Sequence, residues 1–160
     1  MSDLEYVIGA LLREKGLTLG VVESATGGLI SHLISNVPGS SNYFKGSITA
    51  YANAAKRKLV GVKASTLTQY GAVSPQVAVE MADGGRKVLV VDICISDTGI
   101  AGPGGSTLEK GVGLFYVGLA HKNSTFSRKY QFKGTREEIK QKAAHAALNW
   151  LKDYLSSLSG

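Results

Sequence analysis

A ten-residue stretch, residues 21–30, joins a predicted strand to a predicted helix through a cluster of hydroxyl groups and glycines. Segment 17–22 is apolar and partly β-branched, which indicates a short strand. Four apolar residues after the cluster fall at helical spacing: Leu29, Ile30, Leu33 and Ile34. A strand-to-helix junction presents free backbone N–H groups and the positive end of a helix dipole, which together favour an anion. The stretch therefore predicts an α/β fold with a candidate site at this junction.

Four residues of the junction are candidates for chemistry. Gly27 and Gly28 let a ligand approach the backbone closely. Ser24 and Thr26 offer hydroxyls as nucleophile, hydrogen-bond donor or helix cap. A purely structural interpretation fits the spacing equally well: Thr26 caps the helix, the glycines form a turn and Ser24 has no role.

Strand and helix patterns alternate along the rest of the chain. Helical spacing or capping signals mark segments 3–15, 53–59, 65–71, 75–88 and 135–151. Further strands are predicted at 43–51, 88–96, 112–120 and 125–132. The clearest helix starts are Ser74 followed by Pro75, and the capping box of Thr135 and Glu138. The alternation predicts one sheet with helices on both faces.

Composition limits the class of protein. Of the 160 residues, 44% are hydrophobic and 19% are charged, so we expect a single folded domain spanning 1–160. The lone cysteine, Cys94, excludes an internal disulfide, fits a reducing compartment and is expected to be buried. The longest apolar run, 88–95, is short and contains Asp92. Neither a signal peptide nor a membrane span is predicted, and the cytoplasm is the expected location.

A net charge of +6 raises nucleic acid as a partner. The basic residues are dispersed, however, and no nucleic-acid-binding motif or aromatic ladder accompanies them. We therefore expect a solvated basic surface, with one or two cations recruited to a phosphorylated small molecule. His32, His121 and His145 show no ligand spacing, so neither a metal nor a cofactor is predicted; His145 is expected to be a buried or semi-buried residue of the last helix.

Three polar groups each follow a predicted strand. The first is Ser24 with Thr26, the second is Tyr51 with Asn53 and Lys56, and the third is the glycine-rich loop 98–106. Ligands of open α/β sheets bind outside the carboxyl ends of the strands, so the shared placement predicts one site. The loop invites a phosphate, although it matches neither a Walker A loop nor a dinucleotide fingerprint, and a plain surface loop is the alternative.

The second group suggests where a base for Ser24 lies. Five residues apart on one helix, Tyr51 and Lys56 would point about 140° apart. They converge only if Tyr51 ends the strand and Lys56 lies on the next helix, for which Asn53 is the expected cap. A desolvated lysine can activate a serine, and a Ser–Lys pair fits acyl chemistry on an amide or ester. The helix start after Gly27 and the glycine-rich loop would then supply N–H donors to the oxyanion.

Five motifs in this order carry a resemblance to a known family. They are residues 23–28 (ESATGG), 37–41 (VPGSS), 50–56 (AYANAAK), 71–74 (GAVS) and 98–105 (TGIAGPGG). Together they closely resemble the CinA C-terminal domain family, also known as the nicotinamide-nucleotide amidase (PncC) family. The resemblance runs from the first predicted helix to the last.

The resemblance implies a three-layer α/β/α sandwich with one mixed, mostly parallel sheet. It implies hydrolysis of nicotinamide mononucleotide to nicotinate mononucleotide and ammonia, without a cofactor, in a homodimer or higher homo-oligomer. Ser24 would be the nucleophile, with Lys56 and Tyr51 assisting proton transfer, and Arg136 is the candidate for the substrate phosphate. The remaining implied substrate-binding residues are Thr26, Gly27, Gly28, Asn53, Thr98, Gly102, Gly104, Gly105 and Ser106.

Three positions depart from the family pattern: Ala25 stands for a frequent cysteine, Gly111 for proline and Lys140 for arginine. None removes the Ser24, Tyr51 and Lys56 set. Full-length CinA proteins carry a larger N-terminal domain that this sequence lacks, so a stand-alone amidase is expected. The alternative is a nucleotide- or DNA-associated binding domain without turnover, for which salt-sensitive binding of DNA would be the sign.

Overall fold

The computed structural model describes residues 3–159. These residues form one sheet with helices on both faces. The strands are β1 (Leu19–Glu23), β2 (Phe44–Thr49), β3 (Ile93–Gly99), β4 (Leu114–His121) and β5 (Ser124–Gln131). The α-helices are α1 (Leu4–Lys15), α2 (Leu29–Ser35), α3 (Asn53–Val60), α4 (Ala64–Tyr70), α5 (Pro75–Leu89) and α6 (Arg136–Ser157). A short 3₁₀ turn covers Ser40–Asn42.

The strand order is β2-β1-β3-β4-β5. β1 pairs in parallel with both β2 and β3, whereas β4 runs antiparallel to both β3 and β5. Four strands therefore point one way and β4 is reversed, which confirms the predicted α/β fold with a mixed sheet. The arrangement places the carboxyl ends of β1, β2 and β3 side by side at one edge of the sheet.

Successive side chains of the central strands point alternately into two apolar layers, one on each face of the sheet. Val21 and Ile95 pack with α1, α2 and α6 in one layer, whereas Val22 and Cys94 pack with α3, α4 and α5 in the other. Cys94 is fully buried, as predicted, and its burial raises the pKa of the thiol to about 12. Both central strands are thus covered on both faces, which is typical of parallel strands.

The best-predicted helix boundaries are those with local capping chemistry. Ser74 Oγ accepts the Val77 N–H at 3.2 Å ahead of Pro75, and Thr135 and Glu138 form the expected capping box at the start of α6.

Glycine inside α5 reflects close packing and does not end the helix. A Cβ at Gly84 would lie 1.7 Å from the carbonyl oxygen of Val60, so the chain must approach there without a side chain.

Two local predictions are wrong. The predicted strand 88–96 begins too early, because Val88 and Leu89 end α5, Val90 adopts a left-handed conformation with φ 54° and β3 begins at Ile93. A short apolar run does not distinguish the last turn of a helix from a strand. Asn53 is the first residue of α3 and no cap, since Ala52 holds the N-cap position. No helix within residues 3–159 is long and apolar enough to cross a membrane.

Candidate active site

A cavity of about 290 Å³ opens at the edge where the carboxyl ends of the parallel strands meet. Its wall is formed by residues that follow β1, β2 and β3, by the segment between α4 and α5, and by the start of α6. Nine of the residues singled out from the sequence line it: Ser24, Tyr51, Asn53, Lys56, Thr98, Gly102, Gly104, Gly105 and Arg136. The three polar groups predicted to share one site therefore converge.

Ser24 and Lys56 are in direct contact. Ser24 follows β1, Lys56 lies on α3, and Lys56 Nζ is 3.0 Å from Ser24 Oγ. Lys56 Nζ also donates to the main-chain carbonyl of Tyr51 at 2.8 Å. The topology joins the two side chains because β1 and β2 are parallel neighbours, so that the helix after β2 begins beside the loop after β1.

Burial makes this lysine unusual. Lys56 is 2% exposed and Ser24 is 6% exposed. Desolvation lowers the pKa of Lys56, and the charge of Asp97 opposes that shift. A lysine with a lowered pKa carries a lone pair more often, and at 3.0 Å that lone pair can accept the Ser24 hydroxyl proton.

Tyr51 and Arg136 form the mouth of the cavity. Tyr51 is 57% exposed, and its hydroxyl accepts a hydrogen bond from Arg136 Nη2 at 3.0 Å. Arg136 Nη1 donates to the carbonyl of Gly102 at 2.8 Å, which ties the glycine-rich loop to the start of α6. Within residues 3–159, no hydrogen bond joins the Tyr51 hydroxyl to Ser24 or Lys56; the tyrosine contributes its carbonyl to Lys56 and its phenol to Arg136.

Four of the sequence-derived substrate residues do not line this cavity. Thr26, Gly27 and Gly28 line a separate groove against α6, and Ser106 is exposed outside the cavity wall. Thr98 does line it, but its hydroxyl donates to the carbonyl of Ala72 at 2.7 Å. The strand-to-helix junction therefore has two sides, and the cavity is on the Ser24 side.

The expected oxyanion site at the start of α2 is wrong, because a carboxylate occupies that helix end. Glu23 accepts N–H groups from Gly28 (3.1 Å), Ile30 (2.9 Å) and Ser31 (2.9 Å). Sequence reasoning missed Glu23, although an acidic residue at the end of a strand, a few residues before a glycine-rich helix start, is the available signal. Within the described part of the chain, the N–H of Ala25 has no acceptor, and Ala25 lines the cavity beside Ser24.

Sequence reasoning also missed Asp97, which supports the loop from below. It lies in β3, is 0% exposed, and accepts the amide N–H groups of Ser24 and Thr26 at 3.1 Å each. Burial is the largest cause that raises the pKa of Asp97 to about 6. A lone acid at the end of an apolar strand could have been noticed in the sequence, but its partners lie more than seventy residues away.

The histidines take no part in the cavity. His121 Nδ1 contacts the Tyr154 hydroxyl at 2.5 Å, and His145 is exposed, so its predicted burial is wrong. His32 lines the groove on the far side of the junction. Between residues 3 and 159, no three His, Cys, Asp or Glu side chains are grouped as metal ligands.

Comparison with known proteins identifies the family. Residues 1–155 match the model of the CinA C-terminal domain. The chain belongs to the CinA C-terminal domain family. A CinA-like protein from Geotalea uraniireducens is 46% identical to this CinA domain over 157 residues, which are 98% of this chain and 37% of that protein. The domain spans little more than a third of the length of the curated relatives that it matches.

Two solved structures show the same CinA fold. The crystal structure of the competence damage-inducible protein A (ComA) from Klebsiella pneumoniae superposes with a TM-score of 0.95 at 26% identity. That of the competence/damage inducible protein CihA from Agrobacterium tumefaciens gives 0.91 at 33% identity. In both comparisons 98% of each chain is covered, so the whole architecture is shared.

Proposed function

We propose that this CinA domain hydrolyses the carboxamide of nicotinamide mononucleotide to nicotinate mononucleotide and ammonia. The observation that carries the proposal is the buried Lys56 Nζ, 3.0 Å from Ser24 Oγ on the wall of an open cavity. Membership of the CinA family supports it, because that family includes amidases. The domain needs no metal ion for the steps proposed below.

Acylation begins with Ser24. Neutral Lys56 accepts the Ser24 hydroxyl proton as Oγ bonds to the amide carbon of the substrate. The carbonyl of Tyr51 accepts one N–H of Lys56 and so directs the amine lone pair toward Oγ. As the tetrahedral intermediate collapses, Lys56 returns the proton to the leaving nitrogen, the C–N bond breaks and ammonia departs.

Deacylation repeats these steps with water. Lys56 takes a proton from water, the hydroxide oxygen bonds to the ester carbon, and the proton passes to Ser24 Oγ as the ester bond breaks. The product is the carboxylic acid, which releases its proton to solvent and leaves as the carboxylate of nicotinate mononucleotide. The Ala25 N–H is the proposed oxyanion donor, because it follows the nucleophile directly and has no acceptor within residues 3–159.

The mouth of the cavity supplies the proposed phosphate site. Arg136 is an exposed cation beside the loop that contains Gly102, Gly104 and Gly105. A guanidinium binds phosphate through paired N–H donors, and glycines leave room for a phosphate against the backbone. The Arg136 hydrogen bonds to Gly102 and Tyr51 hold its side chain at this position before substrate arrives.

The test is turnover of the purified protein with a chelator present. We expect ammonia and nicotinate mononucleotide from nicotinamide mononucleotide. Arg136→Ala should lower kcat/KM by roughly 10–100-fold for the nucleotide and little for nicotinamide riboside, which lacks the phosphate. Arg57→Ala, an exposed arginine on α3, is the matched control and should change neither. Absence of product would contradict the proposal, and salt-sensitive DNA binding in its place would indicate a binding domain.

A further inference from the structure

Two buried carboxyl groups lie beneath Ser24, and the mechanism above uses neither. Asp97 and Glu23 are both 0% exposed and lie on the neighbouring strands β3 and β1. Thr26 Oγ1 lies between them, 2.7 Å from Glu23 Oε1 and in hydrogen-bond contact with Asp97 Oδ2. The same Asp97 oxygen accepts the Ser24 N–H. The three side chains therefore form one hydrogen-bonded chain that ends at the nucleophile.

The Thr26 hydroxyl has one hydrogen for two carboxyl oxygens, so it can donate to one of them. If both carboxyls were ionised, the other oxygen would face the lone pairs of Thr26 Oγ1 inside the protein, where such contacts are costly. One added proton removes this conflict. The protonated carboxyl then donates to Thr26 Oγ1, and Thr26 donates to the ionised one.

Glu23 has the fuller set of hydrogen-bond donors. It accepts three backbone N–H groups at the start of α2, whereas Asp97 accepts two, so the added proton is assigned to Asp97. For Asp97, burial and the charge of Glu23 raise the pKa to about 6, against lowering by hydrogen bonds from the Thr26 side chain and from the amides of Ser24 and Thr26.

We propose that Asp97 holds a proton that it donates to Thr26 Oγ1, and that this neutral carboxyl is a positioning residue that keeps Lys56 uncharged beside Ser24. The inference rests on the proposed role of Lys56 as the base. Because a negative charge on Asp97 raises the pKa of Lys56, a neutral Asp97 lets burial lower it without that opposition.

The charges around this network come from three elements. Glu23 belongs to β1, Lys56 to α3 and Arg136 to the start of α6. On the remaining neighbour, β4, the register places the apolar Val117 opposite Asp97. Besides burial, which is the larger cause, the charge of Asp97 is what shifts the pKa of Lys56.

Infrared difference spectra at pH 5, below the pKa of about 6 for Asp97, test the protonation without any turnover. We expect the C=O stretch of a buried carboxylic acid in the wild-type protein and in Ser24→Ala, and its loss in Asp97→Asn. Asp83→Asn is the matched control, because Asp83 also contacts a threonine hydroxyl, that of Thr125, but lies outside the cavity. That variant should keep the band. A wild-type protein without the band at pH 5 overturns the inference, and the proposed amidase activity would be unaffected by that result.

The acid limb of kcat/KM against pH tests the link to Lys56. The amide of Asp97→Asn still donates to Thr26 Oγ1 and is uncharged like the protonated acid, so we expect turnover with the acid limb at the wild-type pH. Thr26→Val removes the acceptor of the Asp97 proton, which favours the ionised form and moves the limb higher. A merely structural role would leave the limb of Thr26→Val in place. That outcome overturns the proposal, and so does a limb that moves lower in Asp97→Asn, because it would show that Asp97 is charged in the wild type.

Discussion

The two central strands, β1 and β3, are buried along nearly their whole length, yet their two ends differ in chemistry. At the amino end, Leu19 and Ile93 pack into an apolar layer. At the carboxyl end, Glu23 and Asp97 are equally buried but polar, and Ser24 follows directly. Burial of apolar groups stabilises a fold, whereas burial of polar groups costs free energy unless partners are supplied. One sheet therefore combines a stabilising end with a costly, chemically active end.

A large loss of activity is expected at the active end. Lys56→Met replaces a buried amine by an apolar side chain, so we expect turnover to fall by roughly 10²–10⁴-fold. The urea midpoint should rise in the same variant, because an apolar group removes the cost of burying the amine. Lys58→Met, an exposed lysine on the same helix, should change neither quantity. A fully active Lys56→Met protein would contradict the assignment of the chemistry to the carboxyl end of these strands.

The apolar end should show the opposite pattern. Leu148 is 1% exposed in the layer formed with α1 and α2, so Leu148→Ala should lower the free energy of unfolding by about 2–5 kcal/mol. The kcat of the folded protein should stay unchanged. Leu108→Ala, at a fully exposed position, is the control for urea denaturation. A kcat that falls with stability would show that the two ends are not separable.

The pH dependence of stability sharpens the comparison. The pKa of Asp97 is raised from 3.8 to about 6, so the folded state binds more protons than the unfolded state between these values. Stability contributed by this group is therefore present at low pH and lost as pH rises, by about 3 kcal/mol in total. Denaturation midpoints from pH 4 to 7 should decline less steeply in Asp97→Asn than in the wild type. If the midpoints of the two proteins decline equally with pH, the raised pKa is not that of Asp97.

The smallest expected effect concerns Glu23, the buried carboxyl with the fuller set of donors. Glu23→Gln removes a charge that accepts three N–H groups at the start of α2 and points an amide N–H toward some of those donors. We expect a loss of about 1–3 kcal/mol in the free energy of unfolding. Glu137→Gln, in the exposed first turn of α6, is the control. If Glu23→Gln and Glu137→Gln lower the free energy of unfolding equally, Glu23 has no special role in stabilising the start of α2.

Local chemistry explains which parts of the fold could be predicted. The helix starts at Pro75 and Arg136 follow from capping residues next to them, and the spacing of the strands predicted a sheet covered on both faces. The boundary near Val88 could not be predicted, because an apolar run fits both the end of a helix and a strand.

The site could be predicted in part, because several of its residues follow strands that can be recognised from local sequence patterns. Sequence reasoning placed Ser24, Lys56 and Tyr51 at strand ends, and parallel pairing brings those ends together. The role of Asp97 depends on hydrogen bonds that the pairing of β1 with β3 creates, since its donors lie more than seventy residues away in the loop after β1. No local pattern reports such contacts, whereas the backbone donors to Glu23 lie within eight residues of it.

The most direct measurement is the rate of ammonia release from nicotinamide mononucleotide by Ser24→Ala relative to the wild type, with circular dichroism to verify that both are folded. Ser35→Ala, an exposed serine on α2, is the control. We predict that the Ser24→Ala rate is lower by about 10⁴-fold or more, because the nucleophile is lost, and that Ser35→Ala matches the wild type. Undiminished release by a folded Ser24→Ala protein would contradict the assignment of chemistry to this serine.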